Sequence, residues 1–429
     1  MVMKKYYNDF YQETYFSKIL ENGLKVYIMP KKGFYTKYAF LVTKYGSIDC
    51  EFIPRDKANF IKVPYGIAHF LEHKMFEMPN GESVSDEFAE IGADVNAYTS
   101  YDYTVYYTSA TKNFNEALNL LLDFVQTKGY TAESIEDEMG IIEQELLMYL
   151  DDPGVIMENA VNNAMYNDNL VKIDIGGTVD SIKEITKEHL DLCYDTFYHP
   201  SNMGLVVVGD FDENEIMELI ENNQNSKTFL PPYNINRKYY LEDYKVNSKK
   251  EIIQKDVLIP KVSVNIKLGY EKMTNEELTI KDYALTCLMY QEFDITSNFY
   301  QQLLKDEIIN ESFAYDVVID DTFGHINVYT NTYKVDEFIE RIKEHLISFK
   351  NIVVSKENLE TYKKINIARL IRRMNSIDNI GEMMVQSHLG KIEFFKDLEM
   401  VKKLSYEDVM NVRKYFKEEA MTVVIIQKD

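Results

Sequence analysis

The sequence predicts an α+β chain of two tandem homologous domains, each a mainly antiparallel sheet with helices packed on one face. Three observations lead there. The 429 residues exceed what one ordinary core holds and set two domains of roughly 200 residues as the expectation. Segments rich in β-branched and aromatic residues interleave with segments of helical period. Two separate stretches of the second half lie over stretches of the first at nearly one offset, about 220 residues, as an internal duplication would place them.

In chain order, GLKVYIMP (23–30) and YAFLVTKYGSID (38–49) read as strands bounded by Gly and Pro. GIAHFLEHKMFE follows as a helix with Ile67, Phe70, Leu71 and Met75 along one side. The turn MPNG (78–81) leads into VSDEFAEIG, a helix ending at Gly92. DVNAYTSYDYTVYYTSA alternates tyrosine with polar residues and predicts a hairpin, after which FNEALNLLLDFVQ and ESIEDEMGIIEQELLMYLDD return to helical period. TKEHLDLCYDTFYHPSNM and the strand GLVVVGD (204–210) close the half. Residues 222–250 are Asn-rich and polar with a Pro pair, the composition of a linker. The expected division is therefore 1–225, a linker at 226–250, and 251–429.

In the second half, LSYEDVMNVRKYFKEEAMTVVIIQKD (404–429) lies over ITKEHLDLCYDTFYHPSNMGLVVVGD (185–210) without a gap, with Phe416 on Phe197. KENLETYKKINIARLIRRMN (356–375) lies over AESIEDEMGIIEQELLMYLD (132–151), with Arg369 on Glu145 and Tyr362 on Glu138. The second copy lacks the acidic residues and histidines of the first, so the second domain is expected to be a degenerate scaffold.

A net charge of −23, from 47 basic and 70 acidic side chains, argues against nucleic acid and anionic membranes as partners. Cys50, Cys193 and Cys287 are scattered without a CxxC pair, as in a reducing compartment. The N-terminus has lysines but no apolar segment after them, and no apolar run approaches 18 residues, so the expected address is the cytoplasm.

HFLEH (69–73) carries the chemistry. Residues four apart on a helix stand one above the other, so His69 and His73 can offer two imidazoles to one ion. Glu72 then serves as the base that takes a proton from water, the HxxEH order of an inverted zinc-peptidase motif. Catalytic zinc needs a third protein ligand. Glu145, 76 residues after His69, meets that need, with Glu138 two turns earlier orienting a histidine. A solvated acidic helix face is the competing reading of Glu136, Glu138, Glu143 and Glu145.

Together HFLEH, the ExxxxxxE helix at 138–145, GADVNAYTSYDYTVYY (92–107) and FYHPSNMGLVVVGD (197–210) resemble the insulinase (pitrilysin) family of zinc metallopeptidases, in its short branch that includes the mitochondrial processing peptidase. The resemblance covers nearly the whole chain. It implies one Zn2+ per chain on His69, His73 and Glu145, Glu72 as general base, and Glu138 as the carboxylate behind a ligand. It also implies that Asn96, Ala97 and Tyr98 lie on an edge strand that holds an extended peptide by main-chain pairing. The expected activity is endopeptidic cleavage of peptides or unfolded segments within a chamber.

The family pattern breaks in the second half. Complete members carry an arginine and, seven residues later, a tyrosine that stabilise charge on the scissile carbonyl. In FYQQLLKDEIINESFAYDV (299–317) Tyr315 fits the tyrosine, but the arginine position is Ile308 and the nearest cation is Lys305. The expected partner is a zinc-less homologous subunit in a heterodimer, with a homodimer, or Lys305 in place of the arginine, as the alternatives. Two rivals are a zinc carboxypeptidase using His199, which leaves His73 without a role, and a non-catalytic core-type subunit of the same fold. His189, His325, His345 and His388 are expected to be surface or satisfied interior residues.

Overall fold

The computed structural model describes residues 3–428. Along the chain its strands are β1 (Lys4–Asn8), β2 (Glu13–Ile19), β3 (Lys25–Pro30), β4 (Lys37–Thr43), β5 (Glu51–Ile53), β6 (Ile61–Lys62), β7 (Ala93–Thr99) and β8 (Thr104–Ala110). They continue with β9 (Met203–Gly209), β10 (Asn236–Arg237), β11 (Lys250–Gln254), β12 (Lys261–Lys267), β13 (Ala314–Ile319), β14 (Gly324–Asn331) and β15 (Met421–Gln427). The helices of the first half include α1 (Ile67–Lys74), α2 (Val84–Glu90), α3 (Phe114–Val125), α4 (Ala132–Tyr149) and α5 (Pro153–Met165). Later helices are given by their residues.

The first sheet runs β1-β2-β3-β9-β4-β8-β7 and the second β11-β15-β12-β14-β13, with β10-β5-β6 as a small third sheet. The duplication is visible in the pairing. β3 is parallel to β9, and from there β9, β4, β8 and β7 alternate antiparallel. β11 is parallel to β15, and β15, β12, β14 and β13 alternate in the same way. The first sheet adds β1 and β2, a hairpin in residues whose sequence pattern predicts no element. Tyr6 stacks on Tyr15 across it, ring centroids 4.6 Å apart.

β9 is buried along its whole length, which explains why its sequence is a continuous apolar run: a central strand covered on both faces has no polar side. Tyr106 of β8 packs edge-on against Phe124 of α3, while its neighbour Tyr107 stacks with Phe40 of β4. Phe40 in turn meets Gly381 of the helix Ile377–His388. Successive side chains of a strand point to opposite faces, so α3 covers one face and the 377–388 helix the other.

Two compact units result, and each takes a segment from the other half of the sequence. The first comprises residues 1–146, 174–238 and 371–395; the second comprises 147–173, 239–370 and 396–429. The units therefore cross the expected linker twice, because α5 packs on β11, β12 and β15 while the 377–388 helix packs on β4 and β9. The core of the second unit joins Val262, Val264, Ile266, Ile326 and Val328 of its sheet to Phe338, Ile342 and Leu346 of one helix. The three cysteines are buried and unpaired with one another, and no helix among the described residues is long and apolar enough to cross a membrane.

Within the second unit, Glu242 anchors the loop that follows α5. Its carboxylate accepts from the backbone N–H groups of Asn167, Asp168 and Asn169 and pairs with Lys267, which is 1% exposed. Burial pushes this carboxyl up, but Lys267 and the three N–H groups outweigh that and hold it at about 2. A carboxyl depressed on folding stabilises above its unfolded value and loses that contribution as pH falls through the folded value. The Glu242 contribution should therefore be complete above pH about 4.5 and vanish toward pH about 2. Glu242→Gln, which leaves the Lys267 ammonium with the Lys245 carbonyl but without its counter-charge, should cost about 3 kcal/mol at neutral pH, and the loss should shrink on acidification. Urea unfolding of both proteins across that range measures it.

Candidate metal centre

α1 begins at a tight backbone crossing. Gly66 has φ +81°, and a Cβ there would stand 2.2 Å from the Gly176 carbonyl oxygen. Gly177 has φ +82°, and its Cβ would lie 2.6 Å from the Tyr65 carbonyl oxygen. Any side chain at either position would force the strands of chain apart. The turn at 174–177 thus lies against the start of α1 beside His69, whose Nδ1 would be 3.6 Å from a Cβ on Gly176.

Burial of Ile67, Ala68, Phe70 and Leu71 sets the rotation of α1. His69 and His73 then share one face, with ring centroids 4.6 Å apart. α4 buries Ile135, Ile142 and Leu146, which turns Glu138 and Glu145 toward those rings. Nε2 of His69 is 4.0 Å from Oε1 of Glu145, and Nε2 of His73 is 3.6 Å from its Oε2. Ligand atoms of the three residues all lie within 4.8 Å of one another.

Zinc binds nitrogen and carboxylate oxygen at roughly 2.0–2.2 Å, so two ligands of one ion can stand up to about 4.2 Å apart. The two separations between Glu145 and the histidines fit. Two imidazoles and a carboxylate are also a donor set that leaves a fourth position open, as a catalytic rather than structural zinc requires. Glu138 completes the fit, because its Oε1 accepts from Nδ1–H of His73 at 3.0 Å and so leaves Nε2 as the lone-pair nitrogen.

Behind Glu138 stands Lys74. It is 3% exposed, donates to the Ser134 carbonyl at 3.0 Å, pairs with Glu77 and lies 3.7 Å from Oε2 of Glu138. A buried ammonium needs such partners. The sequence marks Lys74 only as the residue after the motif; that it stands behind Glu138 emerges from the tertiary structure.

The electrostatics follow from burial and from these pairs. Burial, with His73 beside it, pulls His69 down to about 4, so its ring is neutral at physiological pH. Burial pulls His73 down as well, but the Glu138 hydrogen bond and the charges of Glu72, Glu138 and Glu145 outweigh it and raise the group. Burial pushes Glu138 up, and His73 with Lys74 more than reverses this. Burial raises Glu72, partly opposed by a hydrogen bond from Thr99 and the charge of His73.

β7 is the outer strand of the first sheet. Asn96 is exposed there, and its Oδ1 accepts from the Ala97 N–H at 2.8 Å, a backbone donor that an added strand could use. Tyr98 donates from its hydroxyl to Oε2 of Glu382 at 2.7 Å. Thr99 donates to Oε2 of Glu72 at 2.6 Å. Alternation puts Ala97 and Thr99 on the face toward Glu72, and Asn96 with Tyr98 on the opposite face.

In the second unit, Tyr315 lies on the outer strand β13 with its ring 6.0 Å from that of Phe293, and burial pushes its phenol up to about 12. Ile308 is 2% exposed within the core of that unit, while Lys305 is exposed at the end of the helix Asn298–Lys305. His199 uses both ring nitrogens elsewhere, Nδ1 with Ser201 Oγ at 2.8 Å and Nε2 with the Leu230 carbonyl at 2.6 Å, which removes it as a ligand. His345 has an acidic partner the sequence spacing hid, Glu292 at 3.1 Å. His388 departs from the expectation of a satisfied histidine: it is buried with neither ring nitrogen hydrogen-bonded, and burial pulls it down to about 3, so it sits neutral.

Two family models match the chain: Insulinase (Peptidase family M16) over residues 62–179, and Peptidase M16 inactive domain over residues 184–366. The Bacillus subtilis (strain 168) protein named "Uncharacterized zinc protease YmfH" is 36% identical over 401 residues, covering 94% of this chain and 93% of that protein. The chain belongs to the insulinase family, peptidase family M16. An M16-like peptidase from Alicyclobacillus acidocaldarius has the same fold at 34% identity, TM-score 0.92, with 100% of this chain and 99% of that one covered. A protease from Helicobacter pylori aligns at 20% identity, TM-score 0.78, over 97% and 100% of the two chains, and shares the fold. A plant relative, the Arabidopsis thaliana protein named "Probable mitochondrial-processing peptidase subunit beta, mitochondrial", is 28% identical over 160 residues, 36% of this chain and 30% of that protein. Within this M16 chain, the model for the insulinase domain spans all of His69, Glu72, His73, Glu138 and Glu145.

Proposed function

We propose that the chain is a zinc metalloendopeptidase with one zinc on His69, His73 and Glu145, acting on peptides or unfolded segments. The observation that carries this reading is the convergence of those three side chains from α1 and α4, with Glu72 one residue from a ligand and tied to edge strand β7. Bound zinc supplies a Lewis acid that makes water acidic and polarises a carbonyl. Glu138 holds His73 in the tautomer whose Nε2 is free to bind. Glu72 receives a proton from the attacking water at its carboxylate and returns it to the leaving amine nitrogen. The free edge of β7 around Asn96–Ala97 pairs with the peptide main chain, which leaves side-chain selection to pockets at alternate positions. Asn96 and Ala97 act here through backbone, and the Tyr98 side chain through its tie to Glu382.

The partner in this reading is a homologous zinc-less M16 subunit that supplies the arginine. Burial of Ile308 in the second core supports it, since that position cannot present any side chain to a substrate; so does the relative named as a subunit of a processing peptidase. Cleavage of internally quenched peptides by the zinc-loaded chain, alone and mixed with such a subunit, tests the whole. Cleavage that rises on mixing is the expected result. A loaded chain that never outpaces its Glu72→Gln variant, alone or mixed, would overturn the reading.

A further inference from the structure

The structure points to Thr99 as a positioning residue: we infer that its hydroxyl holds Glu72 in the orientation needed for proton transfer and couples that orientation to strand β7. The inference rests on the peptidase reading above. Glu72 is 8% exposed, yet a glutamate side chain has three rotatable bonds, so burial alone does not decide where its oxygens point. Thr99 Oγ1 lies 2.6 Å from Oε2 of Glu72, the short separation of a hydroxyl donating to an ionised carboxylate.

Thr99 has one hydrogen, and its surroundings direct that hydrogen. Its cross-strand neighbour Thr104 is fully buried and donates to the Tyr45 carbonyl at 2.9 Å. The two threonine oxygens are 3.4 Å apart, a poorer contact than either of the others. With the Thr104 proton committed to Tyr45, the Thr99 proton goes to Glu72. Oε2 thereby carries a hydrogen bond that fixes the carboxylate and leaves lone pairs on both oxygens to take up a proton.

The location of Thr99 gives the tie its consequence. Thr99 ends β7, two residues after Ala97, and pairs in register with Thr104 of β8. One strand therefore both offers its edge near Asn96–Ala97 and carries the hydroxyl that aims the base. A peptide added to that edge is placed in register with Glu72 by the backbone of β7 itself.

The test compares Thr99→Val, Thr99→Ser and Glu72→Gln with the natural chain, each loaded with zinc, alone and mixed with the homologous subunit, on one quenched peptide. Thr99→Val keeps the shape and removes the donor; its kcat should fall about 10- to 100-fold, as expected for losing a hydrogen bond to a charged group, with KM within about twofold. Thr99→Ser restores the hydroxyl and should recover kcat to within about threefold. Zinc content should stay at one per chain in all, and binding of a fluorescent peptide to the Glu72→Gln chain should be unchanged by adding Thr99→Val. If Thr99→Val keeps full kcat while Glu72→Gln is inactive, the role of Thr99 falls and the peptidase reading stands. If Val and Ser are equally impaired, or the loss lies in zinc content or KM, Thr99 is structural and the inference is overturned. A natural chain no faster than Glu72→Gln, both alone and mixed with the homologous subunit, sinks the peptidase reading instead.

Discussion

Glu72→Gln should bind zinc at one ion per chain and lose peptide cleavage by about 10²- to 10⁴-fold, the range set by removing a general acid–base group. The substitution keeps the size of the side chain and leaves an oxygen that can accept from Thr99, so the local packing survives. What disappears is a carboxylate able to take a proton. None of the candidate ligand contacts involves Glu72: the three donors are His69, His73 and Glu145. Metal analysis after dialysis and single-turnover cleavage separate the two properties. A Glu72→Gln chain that arrives without zinc would show that Glu72 is itself a ligand, and the division of roles would be wrong.

Glu145→Gln should do the reverse and empty the site. Two imidazoles alone do not hold zinc against dialysis as a three-ligand site does, so metal content should drop from one per chain to near zero and activity with it. Glu138→Gln makes the informative contrast. It removes the carboxylate that accepts from Nδ1–H of His73 and faces Lys74, without removing a donor to the metal. Zinc affinity should weaken about 10- to 100-fold, and saturating zinc should restore metal content. Competition with a chelator of known affinity reads both numbers. Full zinc retention by Glu145→Gln would refute the third ligand, and an unchanged affinity in Glu138→Gln would refute the supporting carboxylate.

Much of the site is legible in the chain because it depends on helical spacing. His69 and His73 are four apart and Glu138 and Glu145 seven apart, so each pair must share a helix face wherever that helix packs. The duplication is legible for a related reason: two copies of one fold keep their apolar and aromatic positions, and Phe416 over Phe197 preserves the register of the terminal strand. The exchange of helices between the units is not legible. α5 and the 377–388 helix carry apolar faces that would suit either sheet, and nothing in a linear pattern says which sheet receives them. β1 and β2 escape for want of a signal, since their residues mix charged and aromatic side chains with only a partial alternation.

Sequence alone determined the chemistry that could exist: the donor types, the base beside a ligand, and the absence of an arginine seven residues before Tyr315. Only the tertiary structure decided what those residues can reach. It brought α4 to α1 through the buried stripe of Ile135, Ile142 and Leu146, closed the turn at Gly176 and Gly177 against Gly66, and buried Lys74 behind Glu138. It put the Thr99 hydroxyl on Glu72 and sealed Ile308 inside a core. Spacing along a helix is a local property that the backbone dictates, whereas contact between elements depends on which faces bury one another, and that is settled only when the whole sheet is packed.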